Sequence, residues 1–327
     1  MTPSRPSVLV TRAIPDAGLA LLRESCDVEL WPEPLPPSPA MLLERSRGKD
    51  GLLALLTDRI DATVMDAAGP GLRVISNMAV GVDNVDVAEA TRRNIPVGNT
   101  PGVLTETTAE LAFALLLAAA RRLPEAERYV HRGEWKTWEP TLLLGREVYG
   151  ATLGIVGLGR IGRAVARRAL AFGMRVLATG RDQVRPMPDV TPVDLETLLR
   201  ESDFISLHAP LTPRTRRMFD AAAFARMKPG AILVNTARGG LVDPEALRAA
   251  LASGKLFAAA LDVTEPEPIP PGDPLLSLPN CLVVPHVGSA TVETRDKMAT
   301  MAARNLLSGL RGERLPHCVN PEIYGPR

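Results

Sequence analysis

The stretch Gly157-Leu158-Gly159-Arg160-Ile161-Gly162 restricts the fold more than any other part of the chain. Glycines at the first, third and sixth positions are a weak signal alone. Here Thr152-Leu153-Gly154-Ile155-Val156 reads as a strand before them, and Arg160 to Phe172 carries helical spacing after them. In that setting Gly157 permits a tight turn, Gly159 lets the backbone approach a pyrophosphate, and Gly162 allows the helix to pack close to the strand. The helix N-terminus then faces the anion. A parallel α/β sheet that binds a dinucleotide is the expected consequence.

The surrounding pattern agrees with that expectation. Short apolar runs at Val8 to Val10, Val28 to Trp31, Leu52 to Leu56, Val74 to Ser76 and Pro96 to Asn99 read as strands, with amphipathic stretches between most of them. A second series follows at Thr152 to Val156, Arg175 to Thr179, Phe204 to Ala209, Ala231 to Thr236, Phe257 to Val263 and Leu282 to Pro285. Such alternation predicts the α/β class with two open parallel sheets, the second of six strands. The length, 327 residues, exceeds what one core comfortably serves, so two domains are expected. Between the series, Thr107-Thr108-Ala109-Glu110 has capping-box spacing and opens a helix to Arg122. Being apolar nearly all round, that helix should be buried between domains or against another subunit. His131 to Gly145, with Trp135 and Trp138, shows no period and reads as an arm or long loop; Ala290 to Leu310 reads as a long helix.

Composition narrows the partners. Lys and Arg total 38 against 37 Asp and Glu, which gives no broad field for nucleic acid or an anionic membrane. Cys26, Cys281 and Cys318 form no metal or disulfide pattern. The N-terminus lacks a signal core, and the longest apolar run, Leu111 to Ala120, is half the roughly 20 residues that span a bilayer. A soluble cytoplasmic protein acting on a small molecule, without a metal, is expected.

The end of the second strand of a dinucleotide sheet selects the nicotinamide. An acidic side chain there binds the adenosine ribose hydroxyls of NADH. This chain has Gly180 about where that acid belongs, followed by Arg181, whose charge suits a 2′-phosphate. NADPH is therefore favoured. Asp182 would take the acid's role, and favour NADH, if the strand ran two residues further.

Three residues at carboxyl ends of strands carry candidate chemistry. His286 directly follows the apolar run Cys281 to Pro285, Arg238 follows the strand ending at Thr236, and Glu267 lies shortly after the strand ending at Val263. In open α/β sheets that edge binds ligands. Of the other histidines, His131 lies in the arm, His317 in the tail, and His208 is held within Leu207-His208-Ala209-Pro210. Reduction of a 2-oxo acid needs a cation for the carboxylate and a proton donor beside the ketone. Arg238 would supply the first and His286 the second. Glu267 would orient the imidazole and favour its charged form.

Arg238 and His286 lie in motifs that resemble the D-2-hydroxyacid dehydrogenase family, most closely its glyoxylate and hydroxypyruvate reductase branch. The motifs are Val80-Gly81-Val82-Asp83-Asn84-Val85-Asp86, Thr107 to Glu110, Gly154 to Gly162, Asn235 to Gly239, Ala260 to Val263 and Pro285 to Ala290. The resemblance covers nearly the whole chain. It implies a homodimer with a discontinuous, flavodoxin-like substrate domain, residues 1–101 and 288–327, and an inserted Rossmann domain at 102–287 with dimerisation helix and arm. It implies catalysis by Arg238, Glu267 and His286, and a substrate carboxylate held near Val80 and Gly81. Cofactor contacts are implied at Thr108, the loop from Gly157 to Gly162, Ala237, Asp262 and Gly288. Trp138 is implied as a ring that closes the partner subunit's substrate pocket, or else packs in the dimer interface. Phosphoglycerate dehydrogenases resemble the same core but often carry an added regulatory domain. Formate dehydrogenases tend to have glutamine where Glu267 stands. A dinucleotide-sensing corepressor, which can share the fold and even the catalytic residues, is the alternative outside catalysis.

Overall fold

The computed structural model describes residues 5–180 and 186–325. Its chain divides into two compact units, one of residues 1–104 and 290–327, the other Thr105–Ser289.

The first unit has five parallel strands: β1 (Ser7–Val10), β2 (Asp27–Leu30), β3 (Gly51–Ala54), β4 (Val74–Asn77) and β5 (Val97–Gly98). Their order is β2-β1-β3-β4-β5, the doubly wound flavodoxin-like arrangement. β3 and β4 are buried along their whole length, as expected of parallel strands covered on both faces. The Val292–Leu310 helix returns to this unit, with the Ser76 hydroxyl donating to Ala302 O at 2.8 Å and Arg73 Nη1 to Leu310 O at 2.7 Å. Behind it, the Asn320 side chain takes the place of a strand partner, accepting from Val97 N–H at 2.8 Å and donating to Ile95 O at 2.9 Å.

Among its described residues the second unit has seven parallel strands: β6 (Thr152–Val156), β7 (Arg175–Thr179), β8 (Val190–Pro192), β9 (Phe204–Leu207), β10 (Ala231–Asn235), β11 (Leu256–Leu261) and β12 (Cys281–Val283). The order is β12-β11-β10-β9-β6-β7-β8, so the winding reverses between β6 and β9. Alternate residues feed two cores. Leu153, Ile155, Phe204, Ile232 and Val234 face one; Val156, Ile205, Leu207 and Leu233 face the other.

Two expectations need correction. The sheet has seven strands rather than six, because β8 is three residues long and only Val190 is buried, leaving no apolar run to read. The helix expected at Thr107–Arg122 runs Thr105–Ala120, and a second helix that was not expected, Leu123–His131, lies between it and the arm. Arg122 between them takes a left-handed backbone, φ 51°, which breaks the first helix. The buried face of the first helix packs on the sheet of its own unit, within the core of Leu153 and Ile155.

Candidate functional site

The winding reverses between β6 and β9, and the carboxyl ends flanking such a reversal are where doubly wound sheets bind ligands. The loops after the two strands touch there. Gly157 has φ 100°, and a Cβ on it would lie 2.7 Å from Ala209 N and from the His208 carbonyl carbon. Gly162 is as constrained, since a Cβ would collide with Gly157 O. A Cβ on Gly159, by contrast, would meet nothing within 4 Å. Gly159 caps the Arg160–Ala171 helix without a side-chain hydrogen bond. Elsewhere in the unit Asp194, Asp220 and Asp243 cap their helices with carboxylates. The loop helix therefore keeps open space and uncapped N–H groups at its positive end, which fits a pyrophosphate.

Gly180 follows β7 and is exposed. Arg181 and Asp182, on which the choice of nicotinamide turned, lie outside the described residues.

Three consecutive strand ends build the chemical edge. β10 ends at Asn235, whose side chain accepts from Ala237 N–H at 3.0 Å and donates to Arg238 O at 2.8 Å. This staples the turn that presents Arg238, whose Nη1 donates to Ala237 O at 2.8 Å. After β11, Asp262 accepts from Val287 N–H at 2.6 Å and Gly288 N–H at 2.8 Å, while His286 N–H donates to Asp262 O at 3.0 Å. Asp262 thus fastens the turn bearing His286. Burial pushes its carboxyl upward, against the pull of those donors and of His286. A Cβ on Gly288 would lie 2.9 Å from Asp262 Oδ2 and 3.4 Å from Thr108 Cγ2, so Thr108, Asp262 and Gly288 converge. His286 itself holds φ 52°, a left-handed conformation that a side chain adopts only when its surroundings impose it.

His286 Nδ1 donates to Glu267 Oε1 at 2.6 Å. The other carboxylate oxygen accepts from Thr264 N–H at 3.3 Å. Burial alone would raise the Glu267 carboxyl. The hydrogen bond and charge of His286, the Thr264 N–H and the Arg238 charge outweigh it, holding the carboxyl below its ordinary value. Arg238, Glu267 and His286 are thereby joined by bonds or by field. Because the folded-state value of Glu267 is depressed, the pair contributes stability above the ordinary 4.5 and loses it as pH falls through the lower folded value. Urea unfolding of the protein and of Glu267→Gln should therefore differ by a constant amount just above that range and converge below it. A gap that does not change with pH would mean that Glu267 is not ionised.

The remaining histidines are placed elsewhere. His208 Nε2 shares a 2.9 Å hydrogen bond with the Ser206 hydroxyl. Although the residue keeps some exposure, desolvation pushes its imidazole down to about 4, so it is neutral near pH 7. His131 makes an exposed pair with Glu127 at 2.8 Å. His317 accompanies the terminal segment of the first unit, its N–H donating to Asn305 Oδ1 at 3.0 Å. In that unit the carbonyls of Val80 and Gly81 accept from Asn99 and Asn77 side chains, both at 2.9 Å. Trp138 lies in an irregular segment of the second unit and is 79% exposed. Sequence reasoning overlooked Asn235 and Asp262 as the staples of the two turns. A polar residue at the end of a buried strand, followed within a few residues by an irregular turn, was the available signal.

The chain is similar to known proteins over most of its length. The family model described as D-isomer specific 2-hydroxyacid dehydrogenase, NAD binding domain, matches residues 113–288. A glyoxylate reductase from Korarchaeum cryptofilum is 54% identical over 99% of this chain and 98% of its own. A protein of known structure from Thermus thermophilus is 53% identical, with TM-score 0.92 over 96% of this chain and 99% of its own. An NADPH-dependent glyoxylate/hydroxypyruvate reductase from Sinorhizobium meliloti, solved with NADP and malonate, is 34% identical, with TM-score 0.86 over 97% and 98% of the two chains.

Proposed function

The chain belongs to the D-isomer specific 2-hydroxyacid dehydrogenase family, and from that premise we propose that it reduces a short 2-oxo acid, glyoxylate or hydroxypyruvate, to the 2-hydroxy acid with NADPH as the preferred donor. The observation that carries the reading is the 2.6 Å bond between His286 Nδ1 and Glu267 Oε1 in the field of Arg238.

With Nδ1 engaged, the imidazole presents Nε2 to the substrate as its proton donor. Glu267 fixes the ring and stabilises its positive charge until the proton moves to the ketone oxygen. Arg238 pairs with the substrate carboxylate through its planar fork and draws electron density from the ketone. A bound reduced nicotinamide would supply the hydride. The second unit is assigned the dinucleotide: Gly157, Leu158, Gly159, Arg160, Ile161 and Gly162 at the pyrophosphate, and Thr108, Ala237, Asp262 and Gly288 toward the nicotinamide. Gly180, directly after β7, stands about where a ribose-binding acid would be expected, which supports NADPH over NADH. The first unit is assigned the substrate-domain role. Trp135 and Trp138, 63% and 79% exposed, with Tyr149 at 78%, supply apolar surface of the kind that a second copy would cover; a homodimer is proposed.

The deciding experiment follows oxidation of NADPH and NADH with glyoxylate, hydroxypyruvate, pyruvate and a bulkier 2-oxo acid, on protein whose sedimentation reports a dimer. Consumption of NADPH with the first two, faster than that of NADH, is expected. No oxidation of either cofactor with any acid would turn the assignment toward dinucleotide sensing.

A further inference from the structure

Arg216 and Glu265 form an ion pair beside the chemical edge, and the reaction outlined above gives neither a role. Arg216 Nη1 donates to Glu265 Oε1 at 2.7 Å. Glu265 precedes Glu267 by two residues. The segment bearing Arg216 is bonded through its backbone to the turn that follows Arg238: Arg217 N–H donates to Gly240 O at 2.8 Å, and Phe219 N–H to Leu241 O at 3.0 Å. That turn is in turn pressed against the Glu265 loop. A Cβ on Gly239 would collide with Thr264 O and lie 2.7 Å from Glu265 N, and one on Gly240 would lie 3.2 Å from Glu265 Oε1. Three chain segments far apart in sequence therefore meet at one carboxylate. Its second oxygen, Oε2, is buried with no hydrogen-bond partner among the described residues. A buried acceptor left without a partner is unfavourable, so the side chain is held in place by its contacts and its pairing.

We propose that Arg216 and Glu265 are positioning residues, clamping the Arg238 turn to the Glu267 loop and so fixing the carboxylate-binding cation relative to the proton-donating pair. This deepens the functional reading and rests on it. The pair is half-exposed on the arginine side, 51% against 30% for Glu265, so its contribution to global stability is small. Geometry is where it matters, because small displacements of catalytic groups are costly in rate. Surface pairs such as Arg248–Glu245 lie within one helix and fix nothing beyond it.

The test compares Arg216→Leu, Glu265→Gln and Arg216→Lys. Arg216→Leu should unfold at nearly the temperature of the parent yet lose kcat on the order of tenfold, less than the ~100-fold that a 1 Å misplacement can cost. KM for NADPH should hold, and Arg216→Lys should restore most of the rate. A second readout needs no turnover: the His286 Nδ1 proton, held against Glu267, gives a downfield proton resonance that is assigned by its loss in His286→Asn. In Arg216→Leu that resonance should broaden or move upfield, and in Glu265→Gln likewise. An unmoved resonance in both variants overturns the clamp whatever happens to kcat. If the unaltered protein reduces no 2-oxo acid, the functional reading fails by itself, and the resonance still decides the clamp. Should Arg216→Leu not fold, Glu265→Gln breaks the same ion pair from the other side and decides the question alone.

Discussion

Replacing His286 with asparagine is expected to lower kcat for 2-oxo acid reduction by about 10²- to 10⁴-fold, the range supplied by a positioned proton donor. The expectation rests on placement. The imidazole follows β12 at the carboxyl edge of the sheet, its backbone is fastened by Asp262, and its Nδ1 is held by Glu267 at 2.6 Å. None of these contacts holds the glycine loop, so affinity for NADPH, measured by fluorescence titration, should change little. An asparagine variant that keeps the parental kcat would remove His286 from the reaction.

Arg238→Gln is the second large effect. Removing the charged partner of a carboxylate held in a desolvated site costs about 2–5 kcal/mol, so kcat/KM for the 2-oxo acid should drop by roughly 30-fold to several-thousand-fold. Most of the loss should appear in KM for the acid if Arg238 acts chiefly on the carboxylate, and in kcat as well if it also polarises the ketone. Arg238→Lys should recover only part of it, because a point charge does not reproduce the planar fork. Glutamine keeps a polar, hydrogen-bonding side chain without the charge. The Asn235 staple acts on the backbone around residue 238 and is untouched by the substitution. An unchanged KM and kcat for every acid tried would assign the carboxylate to another cation.

The two predictions draw on different kinds of information. That His286, Glu267 and Arg238 share an edge was legible in linear order, because each follows a strand and parallel strands bring their carboxyl ends to one side. That His286 and Glu267 bond through Nδ1 and Oε1 was not, since they lie 19 residues apart and the turn after β12 chooses the ring's orientation. Likewise the glycine loop announced its turn, whereas the open space at Gly159 and the close approach at Gly162 depend on what packs around them.

The sequence by itself determined the local elements and their class: buried parallel strands need long apolar runs, and a tight turn at positive φ needs glycine, so both leave marks on neighbouring residues. Where those marks were faint, as in three-residue β8, the element escaped. Only the tertiary structure decided the partnerships. The return of the Val292–Leu310 helix to the first unit, the Asp262 anchor under His286 and the Arg216–Glu265 pair join segments that are separated along the chain. Contacts of that kind arise from the relative placement of packed elements, which no local spacing encodes.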